Sequence, residues 1–222
     1  RDVRSISNLY PATYIVIVDN DSKDGSFERI REQLVDLDNI RIYKNDQNTG
    51  YASGNNFGIR KAIEEFNPEF IGIMNPDVSF YEPNMVDLLV DSFACDSKLA
   101  ICTGFMLNSK RELNCAGLSW SIPDRFDDCL LNLPVVGNLF ISRRKEKLVI
   151  NENGIAYVEV VPGSFFVART KAFVDIGFFD ENTFLYCEER IIALKAKKKG
   201  FRTALNSKTF FIHNHSYTTK SY

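Results

Sequence analysis

The sequence contains no apolar run long enough to cross a membrane and no recognisable signal peptide. It has no excess of positive charge, because 27 Lys and Arg residues stand against 29 Asp and Glu residues and the net charge is −2. The five cysteines form no Cys-x-x-Cys pair and are odd in number, which favours reduced thiols over a disulfide framework. These features argue against nucleic acid as a partner and predict a cytoplasmic protein.

The 222 residues do contain enough apolar sequence, 45% of the chain, to build a sizeable core. Short apolar runs predict strands at 14–18, 40–43, 70–74 and 99–103, and apolar residues at helical spacing occupy the intervals between them. This alternation predicts an α/β protein with a mostly parallel sheet flanked by helices. Ligands of such sheets bind beyond the carboxyl ends of the strands.

The second half of the chain is less regular. We interpret residues 109–151 as an insertion that lines a substrate site. Downstream, the patterns predict one or two strands over 158–168 broken at Pro162-Gly163, helices over 170–176 and 188–199, and closing strands over 201–206 and 208–212.

Two acidic residues stand at predicted strand ends. Asp19 ends the first strand, where its carboxylate could accept a hydrogen bond from a uracil or thymine N3–H, although a capping turn is the alternative. Asp77 follows the third strand in Asn75-Pro76-Asp77, where a carboxylate suits Mg²⁺ or Mn²⁺, although a simple turn is again the alternative. Because such strand ends meet at one edge of a sheet, both acids are expected to face one crevice.

Two further pairs are candidates for chemistry. Glu188 and Glu189 begin a predicted helix, where their mutual repulsion and an apolar flank at 184–186 favour a raised pKa in one of them and the helix N-terminus opposes it. They could equally be ordinary first-turn acids. His213 and His215, the only histidines, share one face of a strand and are either metal or phosphate contacts or packed structural residues.

A glycine-punctuated loop at residues 48–56 leads into the second predicted helix. Backbone N–H groups at such a helix start suit a phosphate or a nucleoside. Loops of small residues also cap helices without binding a ligand, so this loop taken alone leaves both interpretations open.

The order and spacing of these segments resemble the family 2 glycosyltransferases of the GT-A fold, over nearly the whole chain. The matching stretches are 16–26, 48–56, 74–78, 162–166, 177–181, 184–189 and 199–202. The chain looks most like bacterial rhamnosyltransferase-like enzymes of cell-surface polysaccharide assembly. The resemblance implies a single GT-A domain over 1–222, with a nucleotide-binding half at 1–108 and an acceptor-binding half at 109–222.

The resemblance also implies a donor and metal site. Its donor-binding positions are Asp19, Asn20, Asn48, Gly50, Asn55, Asn75 and Asp77. Asp77 would hold Mg²⁺ or Mn²⁺, with Asn75 in place of the first acid of the family's Asp-x-Asp. A late histidine of the family, a metal or diphosphate contact, corresponds to His213 or His215.

The resemblance does not identify a single residue as the catalytic base. Glu189 stands where the family often carries its catalytic Asp, and Ile191 stands where the next acid is expected. The resemblance therefore leaves either Glu188 or Glu189 as the base.

One departure concerns the start of the given sequence. By the resemblance Arg1-Asp2-Val3 is expected to lie inside the first helix, so the family's opening strand is not among these residues, and whether the protein has lost it stays open. Loss of that strand would impair donor binding. The expected activity is an inverting transfer from a UDP- or dTDP-sugar to a glycan or lipid-linked acceptor in surface polysaccharide synthesis. The alternative is a catalytically weak nucleotide-sugar-binding subunit of a polysaccharide assembly complex. Either is expected in the cytoplasm, with peripheral association at the inner face of the plasma membrane as a variant, and no oligomeric state is predicted.

Overall fold

The computed structural model describes residues 2–80, 82–114, 117–122 and 148–214. Most of the predicted insertion at 109–151 therefore lies outside the described residues. In chain order the elements are α1 (Asp2–Leu9), β1 (Ile15–Asp19), α2 (Ser26–Leu34), β2 (Ile40–Lys44), α3 (Tyr51–Phe66), β3 (Phe70–Met74), β4 (Val78–Phe80), α4 (Met85–Ser92), a 3-10 turn (Phe93–Cys95), β5 (Leu99–Leu107), β6 (Ile155–Val158), β7 (Phe165–Arg169), α5 (Thr170–Asp175), α6 (Glu188–Lys198) and β8 (Arg202–His213).

The predicted α/β architecture is confirmed, and its strands form two hydrogen-bonded groups. β1 and β2 pair in parallel. The larger group runs β3-β7-β5-β8-β4, with β6 also paired to β8. Within it β5 and β8 are parallel, whereas β7 pairs antiparallel with β3 and β5, and β8 pairs antiparallel with β4 and β6. The sheet is more mixed than the alternation predicts, because β7 from the second half of the chain enters between β3 and β5.

β5 lies at the centre of the larger sheet, and all nine of its residues are buried. A strand covered on both faces has no solvent side, so its sequence is a nearly continuous apolar run rather than an alternating one. Phe166 on β7, Phe173 on α5 and Phe211 on β8 are also fully buried in the surrounding core. This packing holds together the strand ends that carry the polar site.

The closing region differs from its prediction. Residues 202–213 form one strand rather than two, and its pairing with β5 shifts register between Gly104 and Phe105, which lie opposite Asn206 and Phe210. The break in the apolar pattern at Ser207-Lys208 therefore marks an irregularity within a strand, as expected where extra residues enter one side of a ladder. None of the helices in the described part of the chain is long and apolar enough to span a bilayer.

Candidate active site

Asp19 ends β1 with only 7% of its surface exposed. Its Oδ1 accepts a hydrogen bond from the Ser22 backbone N–H at 2.9 Å, and its Oδ2 accepts one from the Ser26 hydroxyl at 3.4 Å. Both partners lie within seven residues along the chain, so the carboxylate closes the turn between β1 and α2. A carboxylate has lone pairs beyond these two bonds, and the capping role and the predicted nucleobase role are therefore compatible.

Asn20, next to Asp19, is the centre of an amide network that joins the loops after β1 and β2. Its Nδ2 donates to Asn48 Oδ1 at 2.9 Å and to the Gly50 carbonyl at 3.1 Å. Its Oδ1 accepts from Asn45 Nδ2 at 2.8 Å. The structure thus brings together Asn20, Asn48 and Gly50, three of the predicted donor-binding residues.

The loop also packs against the segment that precedes the two glutamates. Gly50 has a φ of 97°, and a Cβ at this position would lie 2.4 Å from the Phe184 carbonyl oxygen. Only glycine accommodates both the dihedral angle and the close backbone approach. The Tyr51 N–H donates to the same Phe184 oxygen at 2.9 Å, so the start of α3 is tied to the acid-bearing segment.

Tyr51 has a hydroxyl that reaches the predicted metal turn. It lies 3.1 Å from Asn75 Oδ1 and 3.0 Å from the Gly163 carbonyl oxygen. Burial raises the pKa of Tyr51, and the charges of Glu189 and then Glu188 raise it further. The predicted donor residue Asn55 instead donates to the Tyr51 carbonyl at 2.9 Å, one helical turn back.

Asp77 and His213 meet where β4 pairs with β8, because Val78 is opposite His213 in the antiparallel register. His213 Nε2 lies 3.2 Å from Asp77 Oδ1, and both side chains are mostly buried. The Asn214 N–H also donates to the Asp77 carbonyl at 3.0 Å. The predicted proximity of a late histidine to Asp77 is thus present for His213, whereas His215 lies outside the described residues.

This pair fits a divalent cation as a partial ligand set. A carboxylate oxygen suits Mg²⁺ or Mn²⁺, and an imidazole nitrogen suits the softer Mn²⁺ better. The described residues contain no group of three or more His, Cys, Asp or Glu side chains placed to hold a metal. A cation held by Asp77 and His213 would therefore need further ligands from substrate phosphate or water.

Glu188 and Glu189 are adjacent in α6 but have different surroundings. Glu188 is 4% exposed, and its buried Oε1 has no hydrogen-bond partner. Burial raises the pKa of Glu188, and the charge of Glu189 adds to the shift. Glu189 is partly exposed and lies over Gly163, where an added Cβ would approach its Oε1 to 2.5 Å. The accessible carboxylate is therefore that of Glu189.

The apolar run that precedes these acids faces solvent. Phe184, Leu185 and Tyr186 are 59%, 45% and 65% exposed. The expected rise in the pKa of one glutamate is present for Glu188, whereas the side chains of the apolar run are themselves exposed. Tyr186 and Cys187 have positive φ angles of 74° and 70°, and this turn separates the exposed run from the buried Glu188 that follows it.

Sequence patterns did not identify several residues that organise the site. Tyr51 and Gly163 lie in segments that match the family, but the resemblance assigns no role to either residue. Asn56 is 1% exposed, donates from Nδ2 to the Phe179 carbonyl at 3.1 Å and accepts the Phe179 N–H at 3.1 Å. A polar residue within the apolar face of a predicted helix was the signal that could have marked Asn56.

The fold is that of the GT-A glycosyltransferases. A structure of GalNAc-T7 with UDP, GalNAc and Mn²⁺ superposes with a TM-score of 0.66 at 13% identity, over 93% of this chain and 38% of that one. The mannosyltransferase PcManGT from Pyrobaculum calidifontis, in complex with GDP-Man and Mn²⁺, superposes with a TM-score of 0.65 at 14% identity, over 98% of this chain and 54% of that one. Sequence identities this low establish a shared fold and nothing about a shared function.

The chain belongs to glycosyl transferase family 2, whose model matches residues 2–153. It is also 26% identical over 213 residues to the low-salt glycan biosynthesis hexosyltransferase Agl10 of Haloferax volcanii. That alignment covers 94% of this chain and 62% of the relative, so the chain spans less than two thirds of the relative's length. The family and the fold expected from the resemblance are confirmed.

Proposed function

We propose that this chain transfers a sugar from a nucleotide-sugar donor to a glycan or lipid-linked saccharide, with inversion at the anomeric carbon. The observation that carries the proposal is that the Tyr51 hydroxyl contacts both Asn75, two residues before Asp77, and the Gly163 carbonyl beneath Glu189. Burial raises the pKa of Tyr51, and the charges of Glu189, Glu188 and Asp77 raise it further. These acids come from the end of β3 and the start of α6. The family match and the hexosyltransferase relative support the same reaction class.

The donor is proposed to be a UDP- or dTDP-sugar. Asp19 would accept the N3–H of the pyrimidine, and the network around Asn20 would hold the loop beside the nucleoside. Because Asp19 is nearly buried, such a bond would be made largely out of water, where an unmatched base leaves polar groups unpaired. The UDP and GDP-Man of the two similar structures are consistent with a nucleotide-bearing donor.

Asp77 and His213 are the residues that would hold Mg²⁺ or Mn²⁺. A bound divalent cation supplies charge stabilisation to the departing diphosphate. Asn75 lies next to this pair with its side chain in contact with Tyr51, so it contributes to the shape of the turn.

Glu189 is proposed as the general base. Its carboxylate would take the proton of an acceptor hydroxyl while the hydroxyl oxygen bonds to the anomeric carbon. The bond from that carbon to the diphosphate oxygen breaks at the same time, and its electron pair leaves with the diphosphate. Glu188 is a poorer candidate, because it is almost fully buried and its carboxyl group is less accessible to an acceptor hydroxyl.

The acceptor is proposed to approach over the exposed run Phe184–Leu185–Tyr186. This run ends three residues before Glu189, and its backbone is fixed to the donor loop at Phe184. Exposed aromatic side chains offer contact area to the apolar faces of a saccharide at small entropic cost.

The test begins with a thermal-shift screen of nucleotide-sugars with Mn²⁺, because a ligand specific to the folded state raises its apparent stability. Sugar transfer from the best donor is then measured for Glu189→Gln, Glu188→Gln and the control Glu28→Gln, which alters an exposed first-turn acid of α2. We expect Glu189→Gln to lower kcat by about 10²- to 10⁴-fold, the usual range for a lost general base, and Glu28→Gln to have no effect.

Full activity of Glu189→Gln would contradict the assignment of the base. Donor binding by the wild type without turnover would favour the nucleotide-sugar-binding subunit over the enzyme. Absence of binding to every nucleotide-sugar would contradict both functions.

A further inference from the structure

We infer that Tyr51 is a positioning residue whose hydroxyl holds the Asn75-Pro76-Asp77 turn in register with the segment under Glu189. The inference rests on the proposed function, because it concerns the relative placement of the leaving-group side and the base side of that reaction. Nothing in the local sequence around Tyr51 requires such a role. It follows from the contacts that the residue makes with distant segments.

The hydroxyl of Tyr51 bridges two parts of the chain. It lies 3.1 Å from Asn75 Oδ1, 24 residues away, and 3.0 Å from the Gly163 carbonyl oxygen, 112 residues away. Asn75 is two residues before Asp77, and Gly163 lies directly beneath Glu189. One side-chain atom therefore touches both the backbone that supports the proposed base and the turn that carries the proposed metal ligand.

The remainder of Tyr51 is held from two other directions. Its backbone N–H donates to the Phe184 carbonyl at 2.9 Å. Its ring meets the Phe179 ring edge-on, with centroids 5.8 Å apart and an interplanar angle of 80°. A side chain fixed at its backbone and its ring places its hydroxyl within a narrow range.

The hydroxyl stays protonated, since burial and the nearby carboxylates raise the pKa of Tyr51. It carries one proton, which is shared between the two oxygen atoms within reach. Phenylalanine would keep the ring contact and remove both polar contacts, so the Asn75 amide and the Gly163 carbonyl would each lose a buried partner.

The expected consequence is kinetic. Reacting groups tolerate little displacement, and a shift of about 1 Å can cost about 10²-fold in rate. The contacts proposed for the nucleoside, around Asp19 and Asn20, do not include the Tyr51 hydroxyl. Loss of the hydroxyl should therefore lower kcat more strongly than it weakens donor binding, which it can affect only through the Asp77 turn.

The experiment compares Tyr51→Phe with Tyr43→Phe. Tyr43 also uses its hydroxyl in a side-chain hydrogen bond, to Glu65, but that bond lies on an exposed face. With the donor found by the thermal-shift screen, we expect Tyr51→Phe to lower kcat by about 10- to 100-fold and to change the donor KM by less than about threefold. Tyr43→Phe should leave both constants unchanged.

A second measurement separates positioning from general loss of stability. If the hydroxyl acts through Asn75, the double variant Tyr51→Phe/Asn75→Ala should lose less kcat than the two single losses multiplied, because the two side chains form one interaction. Independent multiplication of the two losses would overturn the inference, and so would a lowered Tm of Tyr51→Phe with full kcat. Absence of turnover by the wild type would overturn the proposed function and this inference together, whereas full kcat in Tyr51→Phe overturns the inference alone.

Discussion

The two acidic regions of this molecule are held in place in different ways. Asp19 is fixed by Ser22 and Ser26, its near neighbours in the turn after β1. The cluster around the Tyr51 hydroxyl depends on contacts such as that to Gly163, 112 residues away. The turn that holds Asp19 is therefore a local structure, whereas the proposed reaction centre forms only when the two halves of the chain share one sheet. Substitutions should affect donor binding on the first side and the rate of transfer on the second.

Among the substitutions that test this comparison, the largest effect is expected from Gly163→Ala, which alters the long-range region alone. The added Cβ would lie 2.5 Å from Glu189 Oε1 and 2.7 Å from its Cγ, so the side chain has to move. We expect kcat to fall by about 10- to 100-fold, since a displaced base loses its attack geometry. Steady-state kinetics with the selected donor measures this.

The matched control is Gly72→Ala in β3, because a Cβ there meets no atom within 4 Å. Equal kcat in Gly163→Ala and the wild type would mean that Glu189 acts from another position. A rise in donor KM without a change in kcat would contradict the expectation that the long-range region affects the rate of transfer and not donor binding.

A smaller effect is expected from Asp19→Asn, which alters the local region. The amide keeps one oxygen to accept the Ser22 N–H but removes the charge that strengthens hydrogen bonds to a nucleobase. We expect the donor KM to rise about tenfold, the equivalent of about 1.4 kcal/mol, with kcat within about threefold of the wild type.

Asp24→Asn is the control for this substitution. Asp24 accepts the Ser26 N–H at 3.0 Å in the same turn, and its side chain is exposed. If Asp24→Asn raised the donor KM as much as Asp19→Asn, the effect would come from the turn and not from a contact with the nucleobase.

The smallest effect is a pH-dependent change in stability on the long-range side. Because folding raises the pKa of Glu188 above its unfolded value, protonation favours the folded state. The stability from this group is complete below the unfolded pKa and is lost as the pH rises through the higher folded pKa. Glu188→Gln removes the titration, so its Tm should exceed that of the wild type at pH 8 and should exceed it by less at pH 5. In a chain of this size, each kcal/mol of added stability raises the Tm by about 2–4 °C.

Thermal melts at both pH values, with EDTA present, measure the difference between Glu188→Gln and the wild type. Glu28→Gln provides an exposed first-turn acid as the comparison. A Tm difference for Glu188→Gln that does not change with pH would show that the carboxyl does not titrate differently on folding.

Regular elements of the first half were predictable because their signals are local. β1, β2, β3 and α3 follow from β-branched runs and from helical spacing of apolar residues. The three-residue β4 was too short to give such a signal. The antiparallel entry of β7 between β3 and β5 could not be read from any window of sequence, because strand order depends on contacts between distant segments.

The same distinction between local signals and long-range contacts applies to the site residues. The family resemblance placed a histidine near Asp77, and the structure has His213 there. The roles of Asp19, Asp77 and the two glutamates stay predictions. The different environments of Glu188 and Glu189 follow from packing across α6, so adjacent positions in sequence could not separate them.

By itself the sequence determined the family, through the resemblance of its motifs, and the α/β class, through the periodicity of its apolar residues. Only the tertiary structure decided that Glu188 is buried, that Glu189 lies over Gly163 and that the Tyr51 hydroxyl joins the Asn75 turn to that segment. The physical reason is that burial and hydrogen bonding of these groups depend on segments distant in sequence, 112 residues apart for Tyr51 and Gly163, which come together only when the core packs.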